Sequence, residues 1–125
     1  MQIAICKKDT GEVIGDCGVR LLSNDSREVE IGYTIAPTYQ GKGFAIEAVK
    51  AVIDYIFNIL HKNRVYTSVD PRNEKSIALL EKIGMKKETH FMKSILIDDT
   101  LVDDAVYAIL VEEWSMIILN GFCEV

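Results

Sequence analysis

The longest continuous pattern in the chain runs from Val29 to Leu60 and changes its period once. From Val29 to Ile35, the residues Val29, Ile31, Tyr33 and Ile35 alternate with Glu30, Gly32 and Thr34. Side chains of a strand point alternately to its two faces, so this spacing predicts a strand with one face in the core. Pro37 closes it, because proline has no N–H to give to a neighbouring strand. From Ala45 the spacing turns helical. Ile46, Val49, Val52, Ile53, Ile56, Phe57 and Leu60 share one side of a helix, and Glu47, Lys50, Asp54 and Asn58 share the other. The stripe predicts a helix from Ala45 to near Asn63. Between strand and helix lies Gln40-Gly41-Lys42-Gly43-Phe44-Ala45, with two glycines and no β-branched residue.

The flanking sequence supplies the other elements. Residues 2–7 and 12–22 read as a hairpin turned at Lys8-Asp9-Thr10-Gly11, and Ser23-Asn24-Asp25-Ser26 reads as the next turn. Arg64 to Val69 is a further strand, broken by Asp70-Pro71-Arg72-Asn73. Asn73 can cap a helix over 74–83 that buries Ile77, Leu80 and Ile83 and stops at Gly84. Met85 to Ile97 and Asp104 to Val111 form a closing antiparallel pair around Asp98-Asp99-Thr100. The order β-β-β-α-β-α-β-β predicts an α/β (α+β) fold on a mixed central sheet. Its third and fourth strands are joined by a helical crossover and therefore parallel. A length of 125 residues suits one domain, 1–125, in which 115–125 has no assigned structure.

Composition narrows the chemistry. Hydrophobic residues make up 49% and charged residues 26%, as in ordinary globular proteins. The net charge is −5 and basic residues do not cluster with aromatic ones, which argues against nucleic-acid binding. Cys6, Cys17 and Cys123 lack C-x-x-C spacing and, with His61 and His90, make no metal set. They read as free thiols of a cytoplasmic protein. No apolar run has spanning length, so no membrane role is expected.

The glycine-bearing loop carries the candidate chemistry. A helix start has unpaired N–H groups and a partial positive charge, and glycines let an anion such as a pyrophosphate approach the backbone. A plain strand-to-helix turn would use glycine too. The Walker pattern, G-x-x-x-x-G-K followed by Ser or Thr, fails because Lys42 precedes Gly43 and no hydroxyl follows. The dinucleotide pattern G-x-G-x-x-G fails because Ile46 stands at its third glycine.

Gln40, Gly43 and Ala45 match the Gln/Arg-x-x-Gly-x-Gly/Ala signature for acetyl-CoA. Glu30-Ile31-Gly32-Tyr33 precedes that loop, Glu47-Ala48 follows it, and Asn73, Ser76 and Lys82-Ile83-Gly84-Met85 come after in order. From Gly11 to Trp114 the chain therefore resembles the GNAT acetyltransferase superfamily, most closely its branch acting on ribosomal-protein N-termini. The resemblance implies acetyl-CoA as co-substrate, no metal, a primary-amine acceptor (a protein N-terminus or a small molecule) and direct transfer. It implies that the backbone at Ile35 and Ala36 pairs with the cofactor arm. Gln40, Gly41, Lys42, Gly43, Phe44 and Ala45 would hold the pyrophosphate. Asn73 would contact the arm or serve only as a helix cap.

Glu30 is the candidate base, or a solvated strand residue. Ser76 is the candidate acid for the leaving thiolate, or a first-turn residue bonded to Asn73. Leu80 departs from the family, where many members carry a tyrosine acid. Such domains usually begin with a further strand and one or two helices; here the match starts at the second strand, and the apolar sheet surface this leaves suggests a homodimer. A non-catalytic CoA-binding relative and a partner-binding domain, the latter suggested by the apolar stretch 116–122, remain alternatives.

Overall fold

Alternation along each strand decides which face of the sheet is dry. In β3 (Glu28–Ile35), Val29, Ile31 and Ile35 are buried and Tyr33 packs against the same core, while Gly32 and Thr34 are exposed. In β2 (Val13–Leu21), Cys17 and Val19 lie opposite Tyr33 and Ile31, which places them on that face too. The computed structural model describes residues 1–21, 27–97 and 100–119, except the side chains of 89–104 and 118–119. The remaining strands are β1 (Gln2–Cys6), β4 (Arg64–Val69), β5 (Lys86–Ile97) and β6 (Thr100–Leu110). All six form one sheet in the order β1-β2-β3-β4-β6-β5. Every neighbouring pair is antiparallel except β3–β4, which is parallel, as a helical crossover between them requires.

The helices α1 (Phe44–Asn58), α2 (Glu74–Ile83) and α3 (Val111–Leu119) supply the other half of the core. Val49, Val52, Ile53, Ile56 and Phe57 of α1 are buried together with Leu80 and Ile83 of α2 and Trp114 of α3. Trp114 fixes α3 to α1 twice: its ring lies 6.3 Å from that of Phe57, and its Nε1 donates to Asp54 Oδ1 at 3.2 Å. The opposite sheet face carries Asp16, Arg20, Glu30, Gly32 and Thr34, and none of the three described helices packs on it.

Several expected boundaries move. Helix α1 ends at Asn58 rather than near Asn63. The turn that follows runs through His61 at φ +54, with Leu60 N–H bonded to Tyr55 O and Lys62 N–H to Ile56 O. The apolar stripe continues to Leu60 because Leu60 still packs on the core after the helix has unwound. Strand β6 starts at Thr100, not Asp104: Ile97 pairs with Thr100 and Ile95 with Val102, so hairpin pairing carries the acidic pair 103–104 inside the strand. Pro37–Tyr39 forms a 3₁₀ turn, and α3 covers part of the unassigned end. The expected turn at 23–26, Asp98-Asp99 and residues 120–125 fall outside the described residues.

One irregularity of the sheet positions everything that follows. β3 and β4 pair at Glu28↔Arg64, Val29↔Val65 and Glu30↔Tyr66, and no further. Beyond that point β3 stays with β2 as far as Ile35↔Gly15, and β4 stays with β6 as far as Val69↔Ala105. The sheet therefore opens as a V between its two middle strands. Gly15 holds β3 close to β2, since a Cβ there would lie 2.1 Å from Thr34 O. At the closed end Arg64 donates to Glu28 of β3 at 3.0 Å and to Glu88 of β5, and its guanidinium lies 4.9 Å from the centre of the Tyr66 ring.

Candidate functional site

The loop after β3 leaves the start of α1 open. Gly41 and Gly43 take φ values of +76 and +83, the left-handed region that glycine enters at no steric cost. A Cβ on either would meet nothing within 4 Å, so both face open space. Gly43 is the cap residue of α1 and has no side chain to bond the helix. The first N–H taken up inside the helix is that of Glu47, on Gly43 O at 3.1 Å. The N–H groups of Phe44, Ala45 and Ile46 thus point out of the helix start with no helical acceptor. Beside them, the Tyr39 ring meets Phe44 edge-on at 5.9 Å, with Lys7 Nζ at 5.7 Å and Lys42 Nζ at 5.8 Å from its centre. Tyr39 Oη donates to Glu12. Two cations and a row of open backbone donors make this a positive corner that fits a phosphate group.

At the end of β3 the backbone is partly used already. Ala36 N–H donates to Ile14 O at 2.8 Å, and Ala36 O accepts from Tyr39 N–H at 2.9 Å. Ala36 therefore keeps no backbone donor for a ligand. Ile35 O accepts from Gln40 Nε2 at 3.0 Å, so the Gln40 side chain braces the loop against its own strand. Because Ala36 faces β2, alternation turns the backbone groups of Ile31, Tyr33 and Ile35 toward β4, into the V, where Ile35 O is already taken by Gln40.

The start of α2 forms the far wall. Asn73 Oδ1 accepts from Ser76 N–H at 3.1 Å, which makes Asn73 the cap of α2. Ser76 Oγ accepts from Tyr33 Oη at 3.5 Å, a long bond joining β3 to α2 across the opening. Burial pushes the Tyr33 phenol above its ordinary pKa, and the contact with Ser76 offsets part of that. Leu80 is 1% exposed and lies in the core.

Glu30 sits at the apex of the V, on the sheet face opposite Tyr33 and Ser76. Its carboxylate is 3.6 Å from Arg20 Nη1 and its side chain is 31% exposed. With Gly32 of β3, Thr67 and Ser68 of β4, and Gly18 and Arg20 of β2, it lines an open groove of about 710 Å³. Tyr66 stands opposite Glu30. Its phenol is raised by burial and then by Glu30 and Glu28, against the lowering effect of Arg64 and Arg20. The buried Cys17 thiol is also pushed up, by burial and by Asp16, which keeps it protonated and unreactive.

The geometry brings the expected residues together in three groups. Gln40, Gly41, Lys42, Gly43, Phe44 and Ala45 build the positive corner. Asn73 and Ser76 stand together at the start of α2, and Ser76 meets Tyr33, whose place in the alternation of β3 predicts a core position but no polar task. Glu30 is separate, on the other face. The signal for Tyr33 was present in its hydroxyl, since a buried tyrosine normally needs a polar partner. Among the described residues no cluster of His, Cys, Asp and Glu is arranged to hold a metal, and no helix is long and apolar enough to cross a membrane.

A sheet split between two parallel middle strands, with an open glycine-rich helix start beside the split, defines a distinct class of α/β domain. Residues 1–86 match the family model described as "Acetyltransferase (GNAT) domain", and the chain belongs to that family. It is 36% identical over 114 residues to the uncharacterized N-acetyltransferase p20 of Bacillus licheniformis, covering 91% of this chain and 64% of that protein. It is 35% identical over 88 residues to the spermidine N(1)-acetyltransferase of Escherichia coli strain K12, covering 70% and 47%. The crystal structure of a ribosomal-protein-S5-alanine acetyltransferase from Vibrio fischeri superposes with a TM-score of 0.82 at 26% identity, over 90% of this chain and 62% of that one. The chain thus spans about half to two thirds of the length of these proteins.

Proposed function

We propose that this chain binds acetyl-CoA and transfers its acetyl group directly to a primary amine. The observation that carries the reading is the V between β3 and β4, with the uncapped start of α1 at its open side. Family membership and the amine-acetylating relatives support it. The N–H groups of Phe44 and Ala45 would hold the pyrophosphate, with Gly41 and Gly43 leaving it room and Lys42 adding charge. Gln40 acts by bracing the loop. Backbone groups of Tyr33 and Ile31 would line the cofactor arm in the V, with Asn73 at its far side.

Acetyl-CoA supplies the activated acyl carbon; the protein supplies placement and proton handling. Glu30, reached from the groove, would take a proton from the incoming amine directly or through a water. Nitrogen then bonds to the acyl carbon, the C–S bond breaks, and its electron pair goes to sulfur. Ser76, on the helix side, would donate a hydrogen bond to the departing thiolate. The net proton leaves nitrogen and ends on sulfur. Base and donor on opposite faces suit an attack from one side with departure toward the other. A polyamine, a peptide N-terminus and a small amine all satisfy this chemistry.

Calorimetric titration with acetyl-CoA, followed by thiol-release assays with spermidine, an alanine-initiated peptide and a simple primary amine, tests the reading. Saturable binding and amine-dependent release of CoA are expected. Glu30→Gln should then lower kcat about 10²–10⁴-fold with CoA affinity unchanged. The loss should shrink as pH rises and more of the amine is already neutral. Absence of binding would favour a partner-binding domain, and binding without release would favour a non-catalytic relative.

A further inference from the structure

We infer that Tyr33 is a positioning residue for thiolate departure, acting through Ser76 across the V. The inference rests on the acetyl-CoA reading above and adds a residue to it.

The two hydroxyls come from parts of the chain 43 positions apart, Tyr33 on the diverging half of β3 and Ser76 in the first turn of α2. The bond joins β3 to α2 at a level where β3–β4 pairing has already ended, at Glu30↔Tyr66. Ser76 has its backbone N–H committed to Asn73 Oδ1, which fixes its Cα and leaves only χ1 to decide where the hydroxyl points. A serine hydroxyl has one O–H donor and two acceptor lone pairs. Tyr33 Oη donates to Ser76 Oγ and takes up one of those lone pairs, which leaves the serine O–H to donate elsewhere. Ser76 commonly would turn such a proton back to the carbonyl one helical turn earlier. Among the described residues Tyr33 is the side-chain or backbone partner that its hydroxyl has. The serine proton is thereby kept for an acceptor in the opening.

This arrangement stabilises negative charge without a tyrosinate. When the C–S bond breaks, the electron pair moves to sulfur, Ser76 O–H donates to it, and Tyr33 O–H polarises the serine; the proton that finally neutralises sulfur is the one removed from the amine. Tyr33 keeps its proton throughout, in keeping with burial, which disfavours its ionisation. A bond of 3.5 Å is long for two hydroxyls, and bonds of this kind tighten when a charge appears beside them. Leu80, deep in the core, offers no hydroxyl for the same task.

The test uses CoA itself and needs no turnover. The ionisation of the bound CoA thiol is followed by the ultraviolet absorbance of its thiolate against pH, with protein alone subtracted, in the parent, Tyr33→Phe, Ser76→Ala and the double variant. The parent should ionise bound CoA more readily than free CoA. Each single variant should lower the acid dissociation constant of bound CoA roughly tenfold, the effect of one hydrogen bond to an ion. The double variant should go no further than Ser76→Ala, because Tyr33 acts through the serine. Equal CoA affinity at a pH where the thiol is protonated, and unchanged melting, in Tyr33→Phe, which keeps the ring and its packing, separate this from a structural defect. Bound thiol ionisation that is the same in parent and Tyr33→Phe, or single effects that add in the double variant, would overturn the pair. A parent that binds no CoA would overturn the acetyl-CoA reading itself and the role of the pair with it.

Discussion

The two helix starts that face each other across the V are built in opposite ways. The start of α2 is finished by the protein: Asn73 caps it, and its N–H at Ser76 is taken by the Asn73 side chain. The start of α1 is left unfinished. Gly43 has no capping atom, its backbone is left-handed, and a Cβ at 41 or 43 would meet empty space. Glycine is a poorer cap than serine or aspartate by only roughly 0.3 kcal/mol, and its left-handed backbone would strain either of them, so leaving α1 open costs the fold little. Closed ends serve folding, and an open end beside a split sheet serves a ligand with its own acceptors.

The comparison is easiest to break by closing the open end. Gly43→Asp places a carboxylate where the pyrophosphate would sit and should raise the Kd for acetyl-CoA by more than about tenfold. Gly43→Ala carries the same backbone strain, about 1 kcal/mol, without the charge, and should retain most of the affinity. If both variants bind alike, charge at this helix start is not what the ligand senses.

Opening the closed end is the reverse experiment. Asn73→Ala should lower the unfolding free energy by about 1 kcal/mol in denaturant titration, and Asn73→Ser, which can still cap, should restore most of it. A change in CoA affinity in the stable serine variant would then report a direct contact of the Asn73 amide. The smallest effect concerns the cations beside the open end. Lys42 is exposed, so Lys42→Gln should weaken acetyl-CoA binding less than about fivefold, and less still at high salt.

Much of the scaffold was legible because burial and period coincide. The strand 64–69, the helix 74–83 with Asn73 and Gly84 at its ends, and the parallel β3–β4 relation all follow from residues whose pattern has one reading. The end of α1 was not, because Leu60 stays in the core whether or not it is helical. The apolar run 116–119 could not be assigned from periodicity alone. It becomes a helix because Trp114 and Ile117 find Phe57, Asp54 and the core.

The site was legible in part. Loop 40–45 was visible from its glycines, whereas the jobs of Gln40 and Ala36 depend on bonds within the protein that spacing does not encode. The Tyr33–Ser76 contact depends on how far the sheet opens, which no local pattern records. Glu30 and Ser76 look like partners in a motif, yet alternation along β3 sets them on opposite faces.

The central claim is that the open start of α1 is the anion-holding end of an acetyl-CoA site. Backbone amide resonances of isotope-labelled protein, followed during titration with acetyl-CoA, test it directly. Saturable shifts should be largest at Gly41, Gly43, Phe44 and Ala45, smaller at Tyr33, and should vanish at the loop in Gly43→Asp. Binding that leaves those four amides unmoved, with the largest shifts elsewhere on the sheet, would contradict the account.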